Sequence, residues 1–177
     1  MDLAPVPLLL FLFFLPKAYL RGEEVDRYSY RELHWGLLYL TVVSCALFLL
    51  FPTRVELRDG ALLELGVMGL PQWLESACRG FYAIDGPFNA WPSLHISQPL
   101  LIMLAITQSG RLPSWKLKLL WGHLLLVCAS VLTMKQHYLW DLGTGGLLAL
   151  LYWKWFLQPR LVPQTVPERV LTVSAAR

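Results

Sequence analysis

Long apolar runs alternate with short polar segments along most of this chain. The runs approach the roughly 20 residues that a membrane-spanning helix requires. The third run is short and contains Gln98 and Pro99, but a bundle that thins the bilayer locally tolerates a short span. The five runs are residues 3–20, 33–51, 94–107, 117–134 and 138–157. The pattern predicts an all-α fold, a polytopic transmembrane helical bundle of about five spans.

The composition agrees with a membrane protein. Of the 177 residues, 56% are hydrophobic, only 15% are charged and eight are tryptophan, a balance that soluble domains do not show. The three cysteines follow neither a disulfide framework nor the spacing of a thiolate metal site. No internal repeat divides the chain, and its last segment is rich in proline. We therefore expect one domain, residues 1–157, followed by a cytoplasmic tail, residues 158–177.

The distribution of basic residues predicts how the bundle is oriented. We interpret the first run as a retained helix, because it lacks the basic segment and small-residue cleavage site of a signal peptide. With five spans, most Lys and Arg residues share one face, and the opposite face holds only Arg54, Arg58, Arg79 and Lys135. The positive-inside rule makes the first face cytoplasmic, so the opposite face is external or periplasmic. A bacterial inner membrane is the expected location, with membrane lipids rather than nucleic acid as partners.

The loop between the second and third runs is the longest, and it contains an apolar segment at residues 61–78. The leucine, valine, methionine and tryptophan side chains of this segment predict an amphipathic helix that lies in the membrane interface. Such a helix either covers the bundle or shapes a lateral entrance for a lipid substrate. The sequence leaves both interpretations open.

A short polar island, Pro92-Ser93-Leu94-His95, stands directly before the third apolar run. Proline and serine favour the first positions of a helix, so we expect a helix to begin here. The N–H groups and the positive dipole end of a helix N-terminus favour an anion such as phosphate, close to Ser93 and His95. The simpler alternative is that Ser93 only caps the helix.

A second polar island stands directly before the fifth run and contains His137 and Asp141. On one continuous helix these two residues, four apart, would share a face. A carboxylate in that position orients an imidazole and selects its tautomer, as a basic or nucleophilic histidine requires. Ser130 and Thr133 would join the same stripe if the helix continued unbroken. Both islands fall on the predicted external side. We therefore expect His95 of the first island to form one site with His137 and Asp141 of the second.

The first island resembles the second signature, P-S-x-H, of the type 2 phosphatidic acid phosphatase superfamily. The third signature of that superfamily, S-R-x5-H-x3-D, is matched at its Ser, His and Asp by Ser130, His137 and Asp141. The resemblance covers residues 51–157 and looks most like the bacterial, inositol-phosphorylceramide-synthase-like branch. It implies a helical core of the haloperoxidase-like type, which has six spans in the family against five here.

The resemblance also implies a division of roles among three residues. His137 would attack phosphorus and form a phosphohistidine, Asp141 would hold its ring, and His95 would protonate the leaving oxygen. His95 would then activate water, or an acceptor alcohol, for the second step. This chemistry needs no metal and no cofactor. The implied substrate is a phospholipid or a polyprenyl phosphate.

The chain departs from the superfamily pattern where positive charge is expected. Val131 stands at the Arg of the third signature, and the first signature, K-x6-R-P, retains only a possible Arg58, followed by Asp59. Preorganised cations stabilise the charge on a transferring phosphoryl group, so other residues have to supply them. The predicted phosphate-binding residues are Ser93, Arg58, Arg54, Lys135 and Ser130, with Arg79 as a further substitute.

Several functions remain open at this point. The favoured one is hydrolysis of a lipid phosphate or polyprenyl diphosphate, and a lipid phosphotransferase differs from it only in the acceptor. A metal site is a second alternative, because His95, His137 and Asp141 form a two-histidine, one-carboxylate set. A third is a noncatalytic protein that binds lipid head groups in the same pocket. The glycines expected to serve helix packing instead of a site are Gly143, Gly145 and Gly146.

Overall fold

The computed structural model describes residues 24–57, 60, 67, 69, 71–84, 88, 90–110 and 112–161. These residues are mostly helical and contain no strand beyond one isolated bridge between Arg54 and Phe88. The predicted all-α fold is confirmed. The helices are α1 (Glu24–Leu50), α2 (Gln72–Ile84), α3 (Leu94–Ser109), α4 (Ser114–Thr133), α5 (Leu139–Tyr152), a π-helix (Trp153–Leu157) and α6 (Gln158–Leu161).

Four of the five apolar runs coincide with helices α1, α3, α4 and α5 with its π-helical continuation. The first run, residues 3–20, lies outside the described residues. Within the described part, Arg31–Leu50 and Ser114–Thr133 are long and apolar enough to cross a membrane. Helix α3 has 16 residues, fewer than the roughly 20 of a typical span. The count of five spans therefore stays a prediction.

Helix α3 lies at the centre of the bundle and packs against α1, α4 and α5. Its apolar residues are buried on several sides, as expected of a helix without a polar face. By contrast, α4 leaves Leu119, Leu125 and Leu126 exposed. In a transmembrane bundle this exposed apolar face would contact lipid. The buried residues at the centre of the core include Leu33, Leu101, Ile102, Met103 and Ala149.

Helices α3 and α5 approach closely at Gly145. A Cβ atom on this glycine would lie 2.5 Å from the backbone oxygen of Ser93, a distance that no side chain permits. Gly143 has nothing within 4 Å of such a Cβ, and Gly146 has only a side-chain atom of Leu100 at 3.9 Å. The prediction of tight packing is therefore confirmed for Gly145 and wrong for Gly143 and Gly146, because only Gly145 faces the backbone of α3.

The structure describes only the last part of the predicted amphipathic segment. The structure has α2 at Gln72–Ile84, so the predicted end at residue 78 is wrong, and most of residues 61–70 lie outside the described part. Pro71 precedes the helix, and its carbonyl accepts the Glu75 N–H at 3.1 Å, consistent with the preference for proline at a helix start. Trp73 on this helix is exposed, whereas Tyr82 is buried.

The two ends of the bundle differ in chemistry. At one end the Thr53 hydroxyl accepts the N–H groups of Ala90 and Trp91, each at 3.2 Å, and so joins the end of α1 to the start of α3. At the other end Arg160 donates to the buried carboxylate of Glu32 at 3.2 Å. The first end contains both polar islands. The expectation that the islands meet on one side of the bundle is therefore met.

Candidate active site

Two histidines from different parts of the chain meet at this end of the bundle. His95, in the first turn of α3, has its Nδ1 3.1 Å from Nε2 of His137, which lies in the turn between α4 and α5. The Ser93 hydroxyl lies 3.2 Å from the same Nε2 atom. Ser93 and His137 are buried. The first and second islands thus converge on one imidazole nitrogen.

Ser93 is the N-cap residue of α3, but its hydroxyl makes no capping hydrogen bond. The hydroxyl faces His137 instead, while the Ser93 N–H donates to the Asp141 carbonyl at 3.1 Å. The interpretation of Ser93 as a cap alone is therefore incomplete. A serine hydroxyl that caps a helix accepts one N–H of the first turn, and this bond stabilises the helix by about 1 kcal/mol. Ser93 does not make this bond, because its hydroxyl faces His137 instead.

Asp141 lies on the other side of the His137 ring. Its Oδ2 atom is 3.6 Å from Nδ1 of His137 and accepts the Tyr138 N–H at 2.8 Å. Both partners of the imidazole–carboxylate pair are buried. A proton on Nδ1, facing the carboxylate, leaves the lone pair of Nε2 directed towards His95 and Ser93.

The predicted reason for this pairing is wrong, although the two residues do lie together. Helix α4 ends at Thr133 and Tyr138 is the N-cap of α5, so His137 precedes the helix that contains Asp141. The two residues do not share a helical face, and Ser130 and Thr133 do not continue their stripe. The turn between the helices brings His137 back to the first turn of α5.

Lys135 gives this turn its shape, because its backbone has a φ of 50°. The Lys135 N–H donates to the Leu132 carbonyl at 3.0 Å, and the Gln136 N–H donates to the Val131 carbonyl at 2.9 Å. This pair of bonds is the Schellman motif that ends many helices, in which glycine usually takes the left-handed position. The His137 N–H also donates to the Val131 carbonyl at 3.3 Å, which fixes the backbone of the histidine.

A family model of the PAP2 superfamily matches residues 18–155. The chain belongs to the PAP2 superfamily. This is the type 2 phosphatidic acid phosphatase superfamily that the motifs resemble, and the match begins well before residue 51, so the expected start of the resemblance is wrong. No curated protein and no solved structure matches the chain significantly.

Membership of the PAP2 superfamily supports a general activity. Its members are generally phosphatases, which supports phosphoric ester hydrolysis for this chain at a coarse level. Together with the two helices that are long enough to cross a bilayer, the family match supports a membrane phosphatase. The bacterial, inositol-phosphorylceramide-synthase-like branch stays a prediction.

The position of the missing superfamily arginine is apolar in this chain. Val131 is buried and packs in a cluster with Ile96 and Leu142. A charged side chain in that cluster would lack the polar partners that a buried charge requires. The departure from the PAP2 signature at this position is therefore matched by the packing around it.

The other predicted phosphate-binding residues are not all brought together. The Ser130 hydroxyl donates to the Val127 carbonyl within α4 at 2.8 Å. The Arg54 guanidinium lies over the Phe88 ring, 5.9 Å from its centroid. Arg79 is paired with Glu75 on α2 at 2.8 Å, and Arg58 lies outside the described residues. Among the predicted cations that the structure describes, Lys135 shares the turn of His137.

The geometry argues against one metal ion held by the three polar residues. Asp141 faces Nδ1 of His137, whereas His95 faces Nε2 on the opposite side of the ring. One ion cannot contact both sides of an imidazole ring, so these residues cannot act as three ligands of a single ion. In the part of the chain that the structure describes, no group of three or more His, Cys, Asp or Glu residues is arranged to hold a metal.

Two residues at this end carry contacts that the sequence analysis did not predict. The Tyr82 hydroxyl donates to the Met134 carbonyl, which links α2 to the turn of His137. Thr53 joins the segments before and after the long loop. No motif or periodicity marks either residue, because each acts through a backbone group far away in the sequence.

Proposed function

We propose that this protein is an integral-membrane lipid phosphatase that hydrolyses a lipid phosphate or a polyprenyl diphosphate through a phosphohistidine. The observation that carries the proposal is the arrangement around His137. Its Nε2 lies within 3.2 Å of the Ser93 hydroxyl and of His95, while Asp141 stands behind Nδ1. A nucleophile oriented by a carboxylate, with an acid next to it, is the set that phosphoryl transfer to histidine requires.

In the first step, Nε2 of His137 forms a bond to phosphorus while the bond from phosphorus to the lipid oxygen breaks. His95 gives a proton to that leaving oxygen, so a lipid phosphate departs as an alcohol and a polyprenyl diphosphate departs as the polyprenyl monophosphate. Asp141 stabilises the positive charge that develops on the His137 ring. In the second step, water attacks phosphorus, His95 accepts a proton from it, and the nitrogen–phosphorus bond breaks to release inorganic phosphate.

The phosphate needs positive charge or N–H donors around its oxygens. The N-terminus of α3, with the Ser93 hydroxyl beside it, supplies helix dipole and hydrogen bonds at the position of His95. We assign Lys135 as the cation on the side of the phosphate away from the N-terminus of α3. Lys135 is half-buried and lies only two residues from His137. Arg54, Arg58 and Ser130 remain further predicted contacts.

A lipid substrate is favoured by the surroundings of the site. Leu139 and Trp140 begin α5, shortly after His137, and Phe51 directly follows α1; all three side chains are exposed. Tryptophan, such as Trp140, is enriched at membrane interfaces, and exposed apolar side chains such as Leu139 and Phe51 can contact lipid. We place this end of the bundle on the periplasmic face of a bacterial inner membrane, because the positive-inside rule puts the opposite end in the cytoplasm.

The decisive experiment measures phosphate release from the purified protein in liposomes. The substrates are phosphatidic acid, phosphatidylglycerophosphate and a polyprenyl diphosphate, with EDTA present throughout. We expect release from one of these lipids, lost by on the order of 10⁴-fold or more in His137→Ala and by about 10²- to 10⁴-fold in His95→Ala. His123→Ala, on α4 and outside the polar site, is the matched histidine control and should retain activity.

Two results would count against this mechanism. Activity that EDTA removes would indicate a metal-dependent reaction, and activity that persists in His137→Ala would show that another group attacks phosphorus. A phosphotransferase would share the first step but pass the phosphoryl group to an alcohol. Adding an acceptor alcohol and measuring phospholipid product against free phosphate distinguishes the two reactions.

A further inference from the structure

Tyr82 stands apart from the other described residues of α2. Much of this helix is exposed, with Trp73 at 71% exposure, whereas Tyr82 is only 9% exposed. Its hydroxyl donates to the backbone carbonyl of Met134, 52 residues later in the chain. Met134 is the C-cap residue of α4 and immediately precedes Lys135. A helix from the long loop is thereby joined to the turn that contains the candidate nucleophile.

The carbonyl that Tyr82 contacts is one that the turn does not satisfy by itself. The last carbonyls of a helix lack partners within the helix. In α4, the carbonyls of Ser130, Val131 and Leu132 accept N–H groups from residues 134–137. The Met134 carbonyl follows these, and it receives the phenol of Tyr82. The hydroxyl therefore adds one hydrogen bond to those that the backbone makes at the end of α4.

The same contact fixes the peptide plane before Lys135. This plane contains the Met134 carbonyl and the Lys135 N–H, since a peptide bond is planar. The carbonyl is held by Tyr82, and the N–H is held by the Leu132 carbonyl at 3.0 Å. Fixing both ends of the plane restrains the left-handed backbone of Lys135 and, through it, the position of His137 two residues on.

We propose that Tyr82 is a positioning residue for Lys135 and His137. The proposal rests on the proposed function, because it assigns these two residues to the reaction. Tyr82 does not contact the phosphate in this scheme; it acts by holding the turn. Loss of the hydroxyl would leave the fold intact while allowing the turn to move.

The test combines two measurements on Tyr82→Phe, which removes the hydroxyl and keeps the ring. The first is hydrogen exchange at the amides of Lys135, Gln136 and His137 in the ligand-free protein. The second is the rate of phosphate release. We expect faster exchange and a fall in kcat of about 5- to 10-fold, as the loss of one hydrogen bond predicts. Tyr39→Phe, in α1, is the matched control and should change neither measurement.

A double-mutant cycle shows whether Tyr82 acts through Lys135. If it does, Tyr82→Phe should reduce kcat much less in a Lys135→Ala background than in the wild type. Unchanged exchange in Tyr82→Phe would overturn the proposal, and equal reductions in both backgrounds would overturn its Lys135 part. If the wild type released no phosphate from any lipid, the proposed function would fail, and the exchange measurement would still decide whether the hydroxyl holds the turn.

Discussion

Lys135 occupies a backbone conformation that glycine adopts more easily. Its φ of 50° lies in the left-handed region, which costs a residue with a side chain about 1–2 kcal/mol. Glycine is the usual residue at this position of a Schellman motif. Residues held in such conformations cluster at active sites, where their side chains are needed. The location of Lys135 beside His137 fits this pattern.

Replacing Lys135 should therefore separate stability from activity. We expect Lys135→Gly to raise the free energy of unfolding by about 1 kcal/mol, because glycine relieves the strained backbone. The same variant should lower kcat/KM for lipid phosphate by about tenfold or more, because the phosphate loses a cation. Thermal unfolding in detergent and phosphate release measure the two effects.

Lys135→Ala is the control for the charge alone. It removes the ammonium group but keeps a side chain in the left-handed backbone, so it should lose activity without the gain in stability. Lys135→Arg should retain most of the activity. Full activity of the glycine variant would rule out a phosphate-binding role for this lysine.

At the scale of the helices, the contact between α3 and α5 sets the distance between the polar islands. Gly145 allows the backbone of α5 to reach the backbone of Ser93, whose hydroxyl contacts His137. The Ser93 N–H also donates to the Asp141 carbonyl across the same contact. A change in the spacing of these helices would therefore shift the Ser93 hydroxyl relative to the Asp141 carboxylate, because the two groups belong to different helices.

Gly145→Ala should disrupt this contact. The added methyl group would meet the Ser93 oxygen at 2.5 Å, so the helices have to separate. We expect the free energy of unfolding to fall by about 1–3 kcal/mol and the activity by about 10²-fold, as a displacement near 1 Å in an active site can cause. Phosphate release and thermal unfolding, compared with the wild type, give both values.

Gly143→Ala is a matched control on the same helix. Nothing lies within 4 Å of its added methyl group, so the variant should keep its activity. Alanine also favours a helix more than glycine by up to about 1 kcal/mol, so the stability should not fall. Equal losses in the two variants would show that the contact at Gly145 does not position the site.

The sequence predicted most of these helices but not the shape of the turn between α4 and α5. Apolar runs mark α1, α3, α4 and α5 because burial in a bundle requires long apolar segments. The separate runs 117–134 and 138–157 predict the break between α4 and α5, but they do not predict its left-handed turn, because the left-handed residue is Lys135 and not the glycine that signals such an end. For the same reason His137 and Asp141 were correctly paired but placed on one helix.

At the scale of the molecule, the arrangement of the bundle predicts which end faces outward. At the end of the bundle that contains His95 and His137, Thr53 joins the end of α1 to the segment before α3. The pair of Arg160 and Glu32 lies at the opposite end. Cysteines in a cysteine-free background test the orientation. Glu56, after α1, and Lys116, at the start of α4, are both exposed and lie towards opposite ends.

We expect a membrane-impermeant maleimide to label Glu56→Cys from the periplasm. Lys116→Cys should react only after the membrane is permeabilised. The physical reason is that basic residues are retained on the cytoplasmic side. The reverse pattern would place the candidate site in the cytoplasm and contradict the proposed orientation. Labelling of both positions after permeabilisation is the control for accessibility.

Contacts between distant segments account for what the sequence could not predict. The motifs identified Ser93, His95, His137 and Asp141, which the structure brings together. They do not predict the hydrogen bond from Tyr82 to a backbone carbonyl, because every residue has such a carbonyl and no residue type marks the acceptor. Sequence patterns predict side-chain chemistry and helix faces, whereas such contacts depend on the path of the whole chain.

The close contact of His95 with His137 has a consequence for turnover. At 3.1 Å from Nε2, the His95 ring occupies the place where a phosphorus atom would have to stand for attack. An incoming anion competes with this internal contact, so its apparent affinity falls by the fraction of time that the histidines are apart. The same factor applies to lipid and product, and inorganic phosphate, which lacks the lipid chains that add binding energy, binds more weakly from the start. We therefore expect weak inhibition by inorganic phosphate. After the product leaves, the contact between His95 and His137 forms again.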